Sequence, residues 1–225
     1  MSSYFVTLNC FKGSIMKTIF AILVLGLVTP ALAQQRVVAE CTVIFKITLD
    51  DGTVDKDVSN SISKSAKTVY IKGNDSRVDL VSPAIQQSII YDKTQNTAVV
   101  LREFGTNKFM NRLSKEQWVT ANKQYQGMAI SLVNETKTIL GYECKKAMIT
   151  LKDGTVFSLY YATAIIPSVK EFEYQFKDVP GFVLEYQIKE SGDNTLVNYR
   201  AEKISLSPVL ASKFDIPTSG YRVMN

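Results

Sequence analysis

KTVYIK-GNDS-RVDLV, residues 67–81, decides how the rest of the chain is read. Two runs rich in β-branched and aromatic side chains, Lys67–Lys72 and Arg77–Val81, flank Gly73-Asn74-Asp75-Ser76. Glycine and asparagine tolerate the positive φ that tight hairpin turns need, so the stretch predicts two antiparallel strands. The pattern repeats at once. Gln87–Tyr91 (QSIIY) and Thr97–Arg102 (TAVVLR) flank Asp92-Lys93-Thr94-Gln95-Asn96, which predicts a second hairpin and a four-stranded meander.

Working outward, Arg36–Leu49 alternates, with Val37, Ala39, Cys41, Val43, Phe45 and Ile47 forming one apolar set ahead of an Asp50-Asp51-Gly52 turn. Val54–Ser65 is polar and reads as a loop or short helix. Ser114-Lys115-Glu116-Gln117 has the form of a capping box, and Trp118, Ala121 and Tyr125 follow at helical spacing until Gly127. Met128–Val133 returns to strand character. Tyr142–Leu151 and Thr155–Tyr161 predict a long hairpin through Lys152-Asp153-Gly154, where Asp-Gly favours a type I′ turn. Ser168–Phe176 carries neither proline nor glycine and is expected as a short helix. Asp178-Val179-Pro180-Gly181 is a turn, Phe182–Lys189 and Thr195–Leu206 an antiparallel pair, and Phe214-Asp215-Ile216-Pro217 an extended closing segment.

The fold class expected from these elements is mainly β (α+β). About ten strands form a large curved antiparallel sheet or half-barrel with one to three covering helices. A concave face left partly unfilled would be an apolar pocket.

The N-terminal region carries an export pattern. Met16-Lys17 precedes the apolar run Thr18–Val28, Pro30 interrupts it, and Ala31-Leu32-Ala33 matches a small-x-small cleavage site. The run is shorter than the roughly 20 apolar residues of a comfortable span. The expected organisation is therefore an N-terminal extension over 1–15 with Met16 as the true start, a signal peptide over 16–33, and one domain over 34–225. A long n-region is the alternative for 1–15. The expected location after cleavage behind Ala33 is periplasmic or secreted, with no integral membrane span.

Charge and composition narrow the function. Lys12 and Lys17 leave with the leader, and the net charge of +5 falls to +3, spread along the chain. Nothing resembles a nucleic-acid interface. The absence of histidine removes imidazole base catalysis, Ser-His-Asp and Cys-His chemistry, and His-ligated zinc. No metal site, cofactor or catalytic residue is expected. Cys41 and Cys144 remain after cleavage. In an oxidising compartment they can form a disulfide closing a loop of about a hundred residues, worth roughly 4 kcal/mol. The other reading is two buried thiols acting as small apolar side chains.

Four pieces in order, Ile139-x-Gly141-Tyr142-x-Cys144-Lys145-Lys146-Ala147, Tyr160-Tyr161-Ala162-Thr163, Pro180-Gly181-Phe182-Val183-Leu184-Glu185-Tyr186 and Phe214-x-Ile216-Pro217, carry a family likeness. Together they resemble a secreted bacterial domain-of-unknown-function family (DUF4412-type) whose fold is similar to the lipoprotein localisation factors (LolA-like). That resemblance implies an incomplete barrel under a helical lid and, in the wider family, the holding of lipid acyl chains.

The candidate ligand-binding residues are Trp118, Tyr125, Phe172, Tyr174, Phe176, Phe182 and Tyr186, either lining an apolar cavity or packing as ordinary core. Glu171 and Glu173 do not face each other on a helix. One of Leu184 and Glu185 faces solvent on a strand. Lys145-Lys146 reads as a charged strand edge. The functional expectation is a non-enzymatic carrier-like protein with a lipid, lipoprotein, acylated-peptide or other apolar ligand. The alternative is an envelope interaction protein with a filled core.

Overall fold

The computed structural model describes residues 35–49, 56–189 and 196–224. The chain divides into two compact units at Gln34/Gln35, and the second holds everything below. The expected extension over 1–15, the leader over 16–33 with its cleavage site, and the Asp50-Asp51-Gly52 turn lie outside the described residues.

Fourteen strands and two α-helices are described: β1 Arg36–Val38, β2 Glu40–Leu49, α1 Lys56–Ser63, β3 Ala66–Lys72, β4 Asp75–Val81, β5 Gln86–Asp92, β6 Thr97–Phe104, β7 Asn107–Leu113, α2 Lys115–Ala121, β8 Ala129–Ile139, β9 Tyr142–Thr150, β10 Val156–Ala162, β11 Ile165–Pro167, β12 Phe182–Lys189, β13 Leu196–Ser205 and β14 Arg222–Met224. Twelve strands form one open sheet in the order β14-β7-β6-β5-β4-β3-β2-β13-β12-β10-β9-β8. Its pairings are antiparallel except at β14, which lies parallel to β7. β1 and β11 form a separate parallel pair. The mainly β expectation holds, but the sheet is mixed rather than purely antiparallel. Nothing distinguishes it as LolA-like.

The quoted hairpin forms as β3 and β4, with the loop tightened to Gly73-Asn74 and Gly73 at φ 61°. β2 buries Cys41, Val43, Phe45 and Ile47, the alternating set seen in the sequence. β12 and β10 supply Phe182, Leu184 and Tyr186, and Phe157, Leu159 and Tyr161, to the same core. A smaller cluster of Ile90, Val99, Leu101 and Met110 is covered by Phe214, Ile216 and Tyr221 of the C-terminal segment. That segment is a 3-10 turn over Ala211–Phe214 followed by extended chain, not an extended segment throughout.

The capping box forms: Ser114 accepts from the Gln117 amide and Gln117 reaches back to the Ser114 amide. α2 stops at Ala121, before Gly127, and Tyr125 sits in a separate 3-10 turn over Lys123–Tyr125. At the β9–β10 connection only Gly154 has positive φ, so the turn is not type I′, which needs two such residues. β9 lies between β8 and β10, so Lys145-Lys146 is not at a sheet edge.

The expected helix over Ser168–Phe176 is replaced by a strap holding two 3-10 turns, Lys170–Phe172 and Tyr174–Phe176, separated by extended Glu173 (φ −134°, ψ 112°). Val169, Phe172 and Phe176 are buried at near-helical spacing. The helix is nonetheless interrupted where Glu173 turns to an ion pair with the sheet. The strap is fixed at its start by Lys93 Nζ donating to the Ser168 carbonyl at 2.7 Å and Ser168 Oγ donating to the Gly73 carbonyl at 2.7 Å.

Cys41 and Cys144 are both free and buried, which corrects the disulfide expectation. β2 and β9 are separated in the sheet by β13, β12 and β10. Three strands stand between the two cysteines in the sheet order, and neither thiol is bonded. Burial instead pushes the thiol of Cys41 up to about 12 and that of Cys144 up to about 11.

Candidate functional site

β3 presents Lys67, Val69 and Ile71 to the core on one face, so a lysine occupies a core phase of the alternation. Lys67 is 3% exposed. Its ammonium forms an ion pair with Glu173 of the strap and donates to the Tyr186 hydroxyl of β12. Three rings surround it, with centroids at 5.3 Å for Phe45, 4.8 Å for Tyr186 and 5.3 Å for Tyr199. Aromatic faces and one carboxylate thus replace the water that a lysine loses on burial.

The rings are themselves ordered. Tyr186 stacks on Tyr199 at 4.6 Å with an interplanar angle of 5°. Phe176 meets the Tyr186 edge at 4.9 Å, and Phe172 meets Phe182 at 5.9 Å. The Tyr186 hydroxyl also faces Glu173 Oε1 at 3.5 Å. Burial, with the neighbouring Glu173 charge adding to it, holds the Tyr186 phenol well above its usual range. Burial lowers Lys67, and Glu173 opposes that shift. Burial also raises Tyr125.

Beside this cluster lies a cavity of about 180 Å³ between the sheet and the strap. Trp118, Tyr174, Tyr186 and Tyr199 line it together with Lys67 and Glu173, and Gln87, Asn122 and Gln175 add side-chain amides. Trp118 is 7% exposed and packs on Tyr91 at 5.5 Å, yet its indole Nε1 is buried without a hydrogen-bond partner. Trp118 therefore meets the cavity with its ring, while Nε1 itself is closed off.

Of the seven residues expected at a ligand site, Trp118, Phe172, Tyr174 and Tyr186 line this cavity. Phe176 and Phe182 pack directly behind Tyr186 and Phe172. Tyr125 is close enough to feel the Glu173 charge and to add to the upward shift of the Tyr186 phenol. Lys67 and Glu173 were not anticipated as a pair. The phase of Lys67 with Val69 and Ile71 was the available signal; Glu173, on an irregular strap, had none.

The other face of β12 carries a second polar group. Glu185, 9% exposed, pairs with Lys137 and lies 3.5 Å from Arg200 Nε. The expectation that one of Leu184 and Glu185 meets solvent fails, because both are buried, one in the core and one in ion pairs.

Chemically, the cavity offers rings and amides beside a charge pair that neutralises itself. Such a wall suits holding a compact ligand with both a flat apolar face and hydroxyl or carbonyl groups.

A family model described as N-glycanase peptide, N-terminal domain, matches residues 53–214, and the chain belongs to that family. It is a different family from the one that the four sequence pieces resemble. Among solved structures, one described as the structure of PNGF-II in a C2 space group aligns with TM-score 0.48 and 14% identity, over 82% of this chain and 30% of that one. MucB aligns with TM-score 0.40 and 9% identity over 80% of this chain and 58% of its own, and MucB in complex with MucA(peri) with 0.41 and 10% over 80% and 54%. The chain thus spans under a third of the PNGF-II chain and little more than half of MucB. No curated protein matches the sequence. Among the described residues no helix is long and apolar enough to cross a membrane.

Proposed function

We propose that the chain is an exported, non-catalytic binding module that holds a compact, partly polar ligand between its sheet and its strap. The observation that carries this reading is the cavity beside the Lys67–Glu173 pair, where three side-chain amides share a wall with the rings of Trp118, Phe172, Tyr174, Tyr186 and Tyr199. Of the ligands expected from the sequence, a full acyl chain is the least suited, because the space is about 180 Å³ and its wall carries an ion pair. Drug-sized ligands occupy sites of about 300–1,000 Å³. A single ring bearing hydroxyl or carbonyl groups is the better match: it stacks on tyrosine or tryptophan and engages the amides. Membership of a family named for an N-glycanase N-terminal domain makes a sugar ring of an N-glycan the natural first candidate, with this module accessory to an enzyme's chemistry. Export rests on the leader pattern over 16–33.

The test is titration of residues 34–225 with N-acetylglucosamine and its β-1,4 dimer, followed by Trp118 fluorescence and by nuclear magnetic resonance. Native mass spectrometry of protein purified without detergent runs beside it. Saturable quenching by the sugar, with resonance shifts at the cavity residues that are lost in Lys67→Met/Glu173→Gln or weakened in Trp118→Phe with folding retained, supports the reading. A co-purifying lipid and no sugar response would return the ligand to the acyl class. If neither ligand binds, the filled-core interaction protein is the better account.

A further inference from the structure

On the face opposite the aromatic cluster, β2 and β13 place two cations directly across from each other. Lys46 and Arg200 are register partners on neighbouring antiparallel strands, and Thr48 and Asn198 are the next pair on that face. Like charges at directly opposed positions destabilise a sheet. Arg200 is turned in part to Glu185, at 3.5 Å from its Nε, but Glu185 is already paired with Lys137. Lys46 has no carboxylate partner among the described residues.

These side chains line a groove of about 500 Å³, together with Glu202 and with Leu140 at the tip of the β8–β9 hairpin. Asn198 contributes a buried Oδ1 with no hydrogen-bond partner. Leu140 and Gly141 form a two-residue turn with φ of 51° and 82°. Leucine rarely takes such a conformation. Here it is 41% exposed, an apolar side chain held over a cationic groove by a strained turn.

We propose that this groove docks an acidic peptide segment of a partner protein. A carboxylate would settle between Lys46 and Arg200. An apolar side chain of the segment would pack on Leu140. The groove is separate from the cavity under the strap, and this assignment does not rest on the ligand proposed there.

Fluorescence anisotropy with a dye-labelled hexapeptide containing two aspartates and a leucine tests it, against the same peptide with asparagines. The aspartate peptide binds about tenfold more tightly at low salt, and the advantage shrinks in half-molar sodium chloride as the charges are screened. Lys46→Ala, a change at an exposed residue with no carboxylate partner among the described residues, weakens binding several-fold without lowering the melting temperature, since it also relieves the like-charge pair. Leu140→Asn weakens binding while raising the melting temperature, a combination that a merely structural role for Leu140 does not produce. Equal affinity for the two peptides overturns the proposal. So does binding to anionic phosphatidylglycerol vesicles with no binding of the peptide. Trp118→Phe, which acts on the other cavity, leaves the peptide affinity unchanged.

Discussion

Lys67 is the residue on which the interior of this protein turns. A buried ammonium is tolerated only where its lost hydration is replaced, and Glu173, the Tyr186 hydroxyl and three ring faces do that here. Removing the cation strands a carboxylate whose side chain is 15% exposed. Lys67→Met is therefore expected to cost about 3–5 kcal/mol in urea unfolding. The double variant with Glu173→Gln should recover much of that loss, because neither charge is left unpaired. If the two single losses simply add, the pair is not coupled and the assignment is wrong. Leu140 presents the opposite case, a residue in a conformation that another residue prefers. Leu140→Asn makes the turn Asn-Gly, the pair favoured for two positive φ angles. The gain should be about 1 kcal/mol, read as a higher urea midpoint with an unchanged slope.

At the scale of elements, the strap between β11 and β12 closes the cavity, and its geometry depends on a close approach of backbones. A Cβ at Gly181 would meet the Ala162 carbonyl oxygen of β10 and stand 2.6 Å from Tyr161 Cδ2. Backbone on β10 cannot yield as the end of a flexible side chain can. Gly181→Ala is expected to destabilise by about 2 kcal/mol or more and to loosen the strap, so that amide exchange rises at Val169–Val179 before it rises in β3. Equal exchange throughout would mean that the strap and sheet open as one unit. The capping box of α2 carries less: Ser114→Ala should cost about 1 kcal/mol, because one orphan amide loses its acceptor.

For the whole molecule, the buried hydroxyls and thiols set the alkaline limit of stability. Cys41 rises from 9.0 to about 12, Cys144 from 9.0 to about 11, and Tyr91 from 10.0 to about 12, chiefly through burial, while Tyr186 rises well above 10.0. Each group keeps its proton in the folded state at a pH where the unfolded chain has released it. The folded state then binds more protons, and stability falls as pH rises. Stability is expected to be level between about pH 6 and 8.5 and to fall progressively between about pH 9 and 12, as followed by circular dichroism at fixed urea. The same burial predicts that a thiol reagent labels both cysteines only upon unfolding, at the rate of global opening, and that the oxidised and reduced proteins migrate alike on a gel. Rapid labelling of either thiol in native buffer contradicts the burial.

Much of this architecture was open to reading because it is local. The β2 alternation, the Gly73-Asn74 hairpin and the Ser114–Gln117 box depend on residues a few positions apart, whose energies hardly change with the rest of the fold. The aromatic residues at the cavity could be named because Phe172, Tyr174, Phe176, Phe182 and Tyr186 crowd into one short stretch and Trp118 follows a capping box at helical spacing, both of them local signals. β7 was missed, since NKFMNRL shows little apolar alternation and is a strand mainly because β6 offers it a partner.

Local pattern, then, determined the class of fold, most strands and turns, and the side of the molecule where rings gather. Tertiary structure alone decided that Cys41 and Cys144 stay apart, that an apparent helix becomes a strap, that Lys67 meets Glu173 and that Lys46 faces Arg200. The physical reason is that each of these depends on which distant segments become neighbours in the sheet. Burial and Coulomb energy act between neighbours in space, and strand order is a property of the whole chain at once.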